Sequence, residues 1–247
     1  MPDRDFKFEK LSAYFLVLLF CCFHNNIYAQ LIGKKVIIVL DSALVVHDST
    51  GKTIIPYETW NRLMANPNYI VTHMKDSTGS LINVLKRLTP QERMHINKIS
   101  RPFESFYFYN DQNISFELTD INKNILKSEL LKGNIIVINF WIIDSLRTPF
   151  QISEFNDIVD TFSNNKNVIF ISILYNKQLE TVKFLRTYPV KSYVVCDDTK
   201  FAQYNIHSSP VNIVLDKKGN VYFHTAGYGT TTAYWIKETI KRLLRSD

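Results

Sequence analysis

The sequence has few of the residues that mark unusual architectures. Its 247 residues include only 7 Gly and 8 Pro, which argues against a collagen-like or disordered chain. Hydrophobic residues make up 46% and charged residues 21%. This composition is typical of a globular domain with a substantial core.

A hydrophobic run long enough to span a membrane is also missing. The longest, LSAYFLVLLFCCF at residues 11–23, follows the charged segment MPDRDFKFEK and is shorter than the roughly 20 residues of a spanning helix. A charged start, a short apolar run and a small residue at Ala29 are typical of a secretory signal peptide. We expect residues 1–29 to be removed and the exported remainder to have no transmembrane span. An uncleaved anchor and a lipid attached at Cys21 are the alternatives, disfavoured by the short run and by bulky Phe20.

Cysteine is scarce, and its placement excludes a whole class of chemistry. The chain has 3 cysteines, and Cys21 and Cys22 leave with the predicted signal peptide. Cys196 then remains alone, so no intramolecular disulfide can form. It ends an apolar strand-like segment, which favours a small buried residue over a reactive thiol.

Clusters of like charge and metal-ligand spacings are absent as well. The net charge is +6, but Lys and Arg are scattered without a block of five or six, as on an ordinary solvated surface. No two histidines stand at i,i+4 and no Cys-x-x-Cys occurs. We expect no nucleic-acid partner, no metal and no cofactor.

From about residue 134 the pattern becomes regular. NIIVINFWII (134–143) and NVIFISILY (167–175) are apolar runs expected for strands covered on both faces, and PFQISEFNDIVDTF between them has helical spacing. A helix, a strand, a short helix, the hairpin VNIVLD/VYFHTA and a final helix follow. This order predicts a three-layer α/β sandwich over about residues 115–247.

Residues 30–114 are predicted to form a mixed α+β region of unknown role. KKVIIVL, ALVVHD, GKTII, NYIVTHM and SFYFYN have strand composition, and ISFEL follows. The Asp48–Gly51 segment is predicted to turn between two of these strands. Helices are expected at residues 57–64 and after Thr89, where Glu92 completes a capping box and Pro90 occupies the first helical position.

Two motifs of the second half resemble a known superfamily. LKGNIIVINFW (131–141) is similar to an entry strand, and HSSP (207–210) with VNIVLDKKGN is similar to a proline loop, a strand and a turn. In order and spacing, residues 115–247 resemble the thioredoxin-like superfamily, specifically exported TlpA-type thiol/disulfide oxidoreductases, or redoxins, of bacterial envelopes. The resemblance implies a thioredoxin fold, a periplasmic or cell-envelope location and a cis bond at Pro210.

The resemblance fails where the family carries its chemistry. Laid on the chain, the family's Cys-x-x-Cys falls on Ser145 and Thr148. Disulfide exchange needs a thiolate of low pKa and a second, resolving thiol, and a hydroxyl can supply neither. The Thr148–Gln151 segment instead has a capping-box pattern with Pro149 at the first helical position. We therefore expect a degenerate site in a non-catalytic protein that acts as a peptide-binding, protein-binding or scaffold component of the bacterial cell envelope; the alternative is a TlpA-like oxidoreductase acting in cell redox homeostasis.

What remains is a candidate groove opposite the helix start. The resemblance implies that an extended peptide or an envelope protein pairs with the backbone before Pro210; the alternative is that the fold needs the proline only for its turn. The candidate peptide-binding residues are Asp144, Ser145, Arg147, His207, Ser209 and Pro210. Asp144, Ser145 and His207 could also form a hydrolase-like triad, which we rank well below peptide binding.

Overall fold

The computed structural model describes residues 27–29, 38–40, 44–64, 66–143 and 148–246. The chain divides into two compact units. The first comprises Met1–Trp60 and Ile70–Lys86, and the second comprises Asn61–Tyr69 and Arg87–Asp247. The expected domain boundary between residues 114 and 115 stays a prediction, as does the signal peptide, of which only residues 27–29 are described. Among the described residues, no helix combines the length and apolar character that crossing a membrane requires.

The first unit is built from short strands. Strands β1 (Ile27–Ala29) and β2 (Ile38–Leu40) pair antiparallel. A second sheet contains β3 (Val46–His47), β4 (Ile54–Ile55), β5 (Tyr69–Lys75) and β6 (Leu81–Arg87), in the order β4-β3-β6-β5. Helix α1 (Tyr57–Met64) and the ends of β5 and β6 contain residues of both units.

The predicted turn after β3 is confirmed. The Asp48 carboxylate accepts hydrogen bonds from the Thr50 hydroxyl at 2.7 Å and from the Thr50 and Lys52 backbone N–H groups at 3.0 and 3.2 Å. These bonds, the Thr50 hydroxyl first, lower the pKa of Asp48 to about 2. Gly51 closes the turn with a φ of 73°, a conformation that glycine adopts without strain.

Strand β6 is one element that the sequence pattern missed. Its segment LINVLKR places Val84 and Leu85 side by side in the buried part, whereas Leu81 is 71% exposed. The apolar residues therefore follow neither the alternation of a half-buried strand nor the unbroken run of a covered one.

The second unit contains a five-stranded sheet. Its strands are β9 (Ile135–Trp141), β10 (Val168–Leu174), β11 (Tyr193–Cys196), β12 (Val211–Leu215) and β13 (Val221–Ala226), and their order is β11-β10-β9-β12-β13. Strands β9, β10 and β11 are parallel, while β12 and β13 form an antiparallel hairpin on β9. A smaller hairpin pairs β7 (Glu117–Thr119) with β8 (Ile125–Lys127).

Six helical segments accompany these strands in the second unit. They are α2 (Pro90–Ile99), a 3₁₀ turn (Ser128–Leu131), α3 (Thr148–Phe162), α4 (Gln178–Leu185), α5 (Asp198–Gln203) and α6 (Thr232–Arg245). The capping box of α2 is confirmed, because Thr89 and Glu92 exchange both hydrogen bonds. Helix α3 begins at Thr148, one residue before the predicted start at Pro149, so Thr148 is the first helical residue and not the predicted cap.

The sheet is covered on both faces, as its apolar strands predict. Alternate residues of β9 point to opposite sides: Val137 packs with Ile158 of α3 and Ile240 of α6. On the other side, Phe140 packs with Phe108 and with Phe201 of α5. The arrangement is a three-layer α/β sandwich, as predicted.

The predicted strand SFYFYN is wrong, and the contacts of its neighbourhood explain why. The chain lies along the outer edge of β13, where the Ala226 N–H bonds Phe103 O and the Asp111 N–H bonds Val221 O. Between these contacts the segment leaves the ladder, because the Ser105 N–H donates to Nδ1 of His224 at 3.0 Å. The accepting ring nitrogen must be unprotonated, and burial lowers the pKa of His224. A side chain thus replaces the backbone partner that a strand would need.

Candidate functional site

The candidate site lies at the carboxyl ends of the parallel strands. Strand β9 ends at Trp141 and α3 begins at Thr148, so six residues separate the end of the strand from the start of the helix. Val211, the first residue of β12, pairs with Phe140. The loop that precedes β12 is therefore brought beside the end of β9.

This second loop ends in a cis peptide bond between Ser209 and Pro210, as the family resemblance implied. Oγ of Ser209 accepts a hydrogen bond from the Ile142 N–H at 2.9 Å. On the far side, the Gly227 N–H donates to Pro210 O at 2.8 Å. The proline loop is thus hydrogen-bonded on one side to the residue that follows β9 and on the other side to the residue that follows β13.

Further side chains fix the surroundings of the proline loop. The Tyr107 hydroxyl donates to Oγ of Ser208 at 3.0 Å, and Nε2 of His207 lies 2.7 Å from Oδ1 of Asn205. On the strand side, the Ile143 N–H donates to Oδ1 of Asn176 at 2.8 Å. The backbone N–H groups of Ile142 and Ile143, the two residues that follow β9, thus both donate to side chains of other segments.

The backbone of Ser209 differs from its side chain in its hydrogen bonding. Within the part of the chain that the structure describes, no hydrogen bond involves its N–H or its C=O. Ser209 is half-buried and its neighbours His207 and Ser208 are exposed. Backbone polar groups that are partly shielded from water ordinarily find hydrogen-bond partners. The N–H and the C=O of Ser209 are therefore available to a ligand, the first as a donor and the second as an acceptor.

The structure describes only some of the candidate residues. Asp144, Ser145 and Arg147 lie outside the described residues, so their place in the groove stays a prediction. Of the imagined triad only His207 is described. Thr148, the position of the family's second cysteine, is described and is fully buried at the start of α3.

Cys196 lies at the end of β11, paired with Leu174 of β10. Its thiol is free, and burial raises its pKa, opposed by a hydrogen bond with Thr181. The thiolate needed for disulfide attack is therefore scarce near neutral pH. Among the described residues, His, Cys, Asp and Glu form no cluster that could hold a metal ion.

Sequence reasoning missed Tyr107, Asn176 and Gly227 as supports of the site. Tyr107 and Ser208 are 101 positions apart, and Asn176 and Ile143 are 33 apart. Tyrosine, asparagine and glycine in loops carry no pattern that would announce such contacts. Only the fold brings them together.

The strand order, the position of α3 and the proline loop together identify the fold of the five-stranded domain. A central β9 is flanked by parallel β10 and antiparallel β12, α3 starts beyond the end of β9, and cis Pro210 leads into β12. The five-stranded domain has a thioredoxin-like fold. This confirms the fold class predicted from the sequence.

The chain is similar over part of its length to several solved structures. A thiol:disulfide interchange protein of the thioredoxin family from Chlorobium tepidum is 21% identical, with a TM-score of 0.44, over 59% of this chain and 98% of its own. The thioredoxin domain of a thiol-disulfide oxidoreductase from Bacteroides vulgatus is 12% identical, with a TM-score of 0.47, over 54% and 99%. The exposed lipoprotein thioredoxin of Streptococcus pneumoniae is 17% identical, with a TM-score of 0.44, over 52% and 99%.

These likenesses concern the fold alone. No family model and no curated protein matches the sequence. What the site of this chain does has to be argued from its own residues.

Proposed function

We propose that this protein is an exported, non-catalytic member of the thioredoxin-like fold that binds an extended peptide segment of an envelope protein beside Pro210. The observation that carries the proposal is the open backbone of Ser209, whose side chain is anchored while its N–H and C=O have no partner among the described residues. An incoming extended chain can pair with both groups, as an added strand does.

The apolar surroundings of this backbone suit the same ligand. Ile142, which donates to Ser209, is 38% exposed, and Tyr175 beside the end of β9 is 52% exposed. Main-chain hydrogen bonds would supply affinity and such side chains would supply contacts for alternate ligand residues. The ligand class is therefore an extended segment with apolar side chains, the kind that unfolded envelope proteins present.

The small number of cysteines argues against the rival function, thiol-disulfide exchange. Cysteine occurs only at positions 21, 22 and 196, so neither the connection from β9 to α3 nor the proline loop contains a sulfur nucleophile. Cys196 is a single thiol whose pKa is raised by burial. Exchange needs one thiol to attack and another to resolve the mixed disulfide.

The export part of the proposal rests on the N-terminal segment. A charged start, an apolar run and Ala29 have the order of a cleaved signal peptide. A bacterial periplasm or cell envelope would also offer the unfolded segments that the groove is proposed to bind.

A binding experiment tests the proposed function directly. The probe is fluorescently labelled insulin B chain with both cysteines alkylated, which is extended and cannot exchange disulfides. We expect saturable binding that Ser209→Ala weakens about five- to tenfold, because loss of one anchoring hydrogen bond is worth about 1 kcal/mol. Fluorescence anisotropy measures both constants.

The matched control is Ser153→Ala, which removes an exposed serine hydroxyl from α3 and should leave the affinity unchanged. If the parent protein does not bind the alkylated chain, the proposed function is wrong. If both serine variants weaken binding equally, the ligand does not use the proline loop.

A further inference from the structure

A buried ion-pair cluster lies where α2, α3 and the β13–α6 connection meet. At its centre is Arg93 of α2, whose side chain is only 16% exposed. Its guanidinium donates to Pro67 O at 2.9 Å and to Thr230 O. It also lies 3.9 Å from a carboxylate oxygen of Glu154 on α3. One side chain thus connects four separate segments of the second unit.

Glu154 is the group of this cluster that can change charge near neutral pH. Its side chain is 20% exposed, and burial raises its pKa to about 7, opposed by Arg93 and by a hydrogen bond with Tyr228. At 3.9 Å the arginine attracts the carboxylate but is too far for a good hydrogen bond. An ionised carboxylate is therefore only partly compensated here.

The charged neighbours of Glu154 come from every element packed around it. Arg93 faces it from α2, Tyr228 from the β13–α6 connection, Asp157 from the next turn of α3 and Lys237 from α6. Lys237 pairs with Asp157 at 2.6 Å, so its charge is shared. Arg93, by its charge, and Tyr228, by a hydrogen bond, are therefore the main groups that stabilise an ionised Glu154.

We propose that Arg93, Glu154 and Tyr228 form a pH-sensitive clasp, in which loss of the Glu154 proton releases α2 and the β13–α6 connection from α3. While Glu154 is protonated, a neutral carboxyl sits in the partly buried site with Tyr228 as its partner. Once ionised, the carboxylate gains free energy by reaching water, and it can do so only if the surrounding segments open.

The direction of the pH effect follows from the raised pKa. In the closed state the carboxyl holds its proton up to about pH 7, whereas in an open, hydrated state it ionises near 4.5. The open state therefore binds fewer protons between these values and becomes more populated as the pH rises. From pH 5.5 to 8.5 the opening constant should increase roughly 30-fold, with most of the rise below pH 7.5.

The clasp also adjoins the proline loop through the chain. Tyr228 follows Gly227, whose N–H donates to Pro210 O, and the Thr232 N–H donates to Gly229 O. The amides of Gly227 and Thr232 thus report opening on the side of the β13–α6 connection. The inference does not depend on what the groove binds.

Hydrogen exchange followed by NMR on the full protein tests the clasp, after correction for the intrinsic pH dependence of exchange. We expect protection of the Gly227 and Thr232 amides to fall about 30-fold from pH 5.5 to 8.5 in the parent. Glu154→Gln should abolish this change, and Glu180→Gln, at an exposed position of α4, should not. Equal pH dependence in the parent and in Glu154→Gln overturns the proposal.

A second measurement remains decisive if Glu154→Gln does not fold. Carbon-13 NMR of the Glu154 carboxyl should give a titration midpoint near 7 in the parent. Tyr228→Phe should raise that midpoint, because it removes a hydrogen bond that lowers the pKa. A parent midpoint near the ordinary value of 4.5 contradicts the clasp.

Discussion

Replacing Phe140 with alanine lowers the free energy of unfolding by about 3–5 kcal/mol, the usual cost of removing a buried phenylalanine. Phe140 is completely buried in β9. Its ring centroid lies 6.1 Å from that of Phe108, 5.6 Å from that of Phe201 and 5.8 Å from that of Tyr204. These rings come from separate parts of the chain, so the cavity cannot close by a local shift.

The matched control for Phe140→Ala is Phe106→Ala. Phe106 belongs to the segment beside β13 but is 83% exposed, so the same change of chemistry should alter stability by less than about 0.5 kcal/mol. Urea unfolding of both variants measures the difference. Equal losses for the two phenylalanines would contradict the described core on this face of the sheet.

Supplying the missing sulfurs gives the other large expected effect. In the double variant Ser145→Cys/Thr148→Cys, the second thiol belongs to the first residue of α3, where a helix N-terminus stabilises a thiolate, and the first thiol precedes it by three residues in the chain. We expect this variant to catalyse the reduction of insulin by dithiothreitol, from no detectable catalysis in the parent. The pair has the Cys-x-x-Cys spacing needed for attack followed by resolution.

The single variant Ser145→Cys separates attack from resolution. It should form a mixed disulfide with the substrate, visible by mass spectrometry, without turning over. If the double variant folds and remains inactive, then residues 145 and 148 are not the positions at which this fold places a redox pair.

The thioredoxin-like half could be predicted from the sequence because its core residues recur in patterns within short stretches of the chain. The strands around Val137 and Phe170 are unbroken apolar runs, and the apolar residues of α6 recur at helical spacing. The cis bond at Pro210 was likewise implied by the family motif. Each of these features depends on residues close together in the chain.

What the sequence could not predict depends on long-range contacts. The segment from Ser105 to Asn110 has strand composition, but a bond from Ser105 to the ring of His224, 119 positions away, takes it out of the ladder. The candidate site gave a similar result. Ser209 and Pro210 were found from the motif, while the supports Tyr107 and Asn176 were not. Arg93 and Glu154 also carried no signal, since a charged residue on an amphipathic helix is ordinarily solvated.

We propose that the thioredoxin-like domain of this chain functions without a redox dithiol. The most direct test is the rate of insulin reduction by dithiothreitol with the purified, unmodified protein present at increasing concentration. We expect the uncatalysed rate at every concentration of the protein. A rate that rises in proportion to the protein, with many disulfides reduced per molecule, would contradict it.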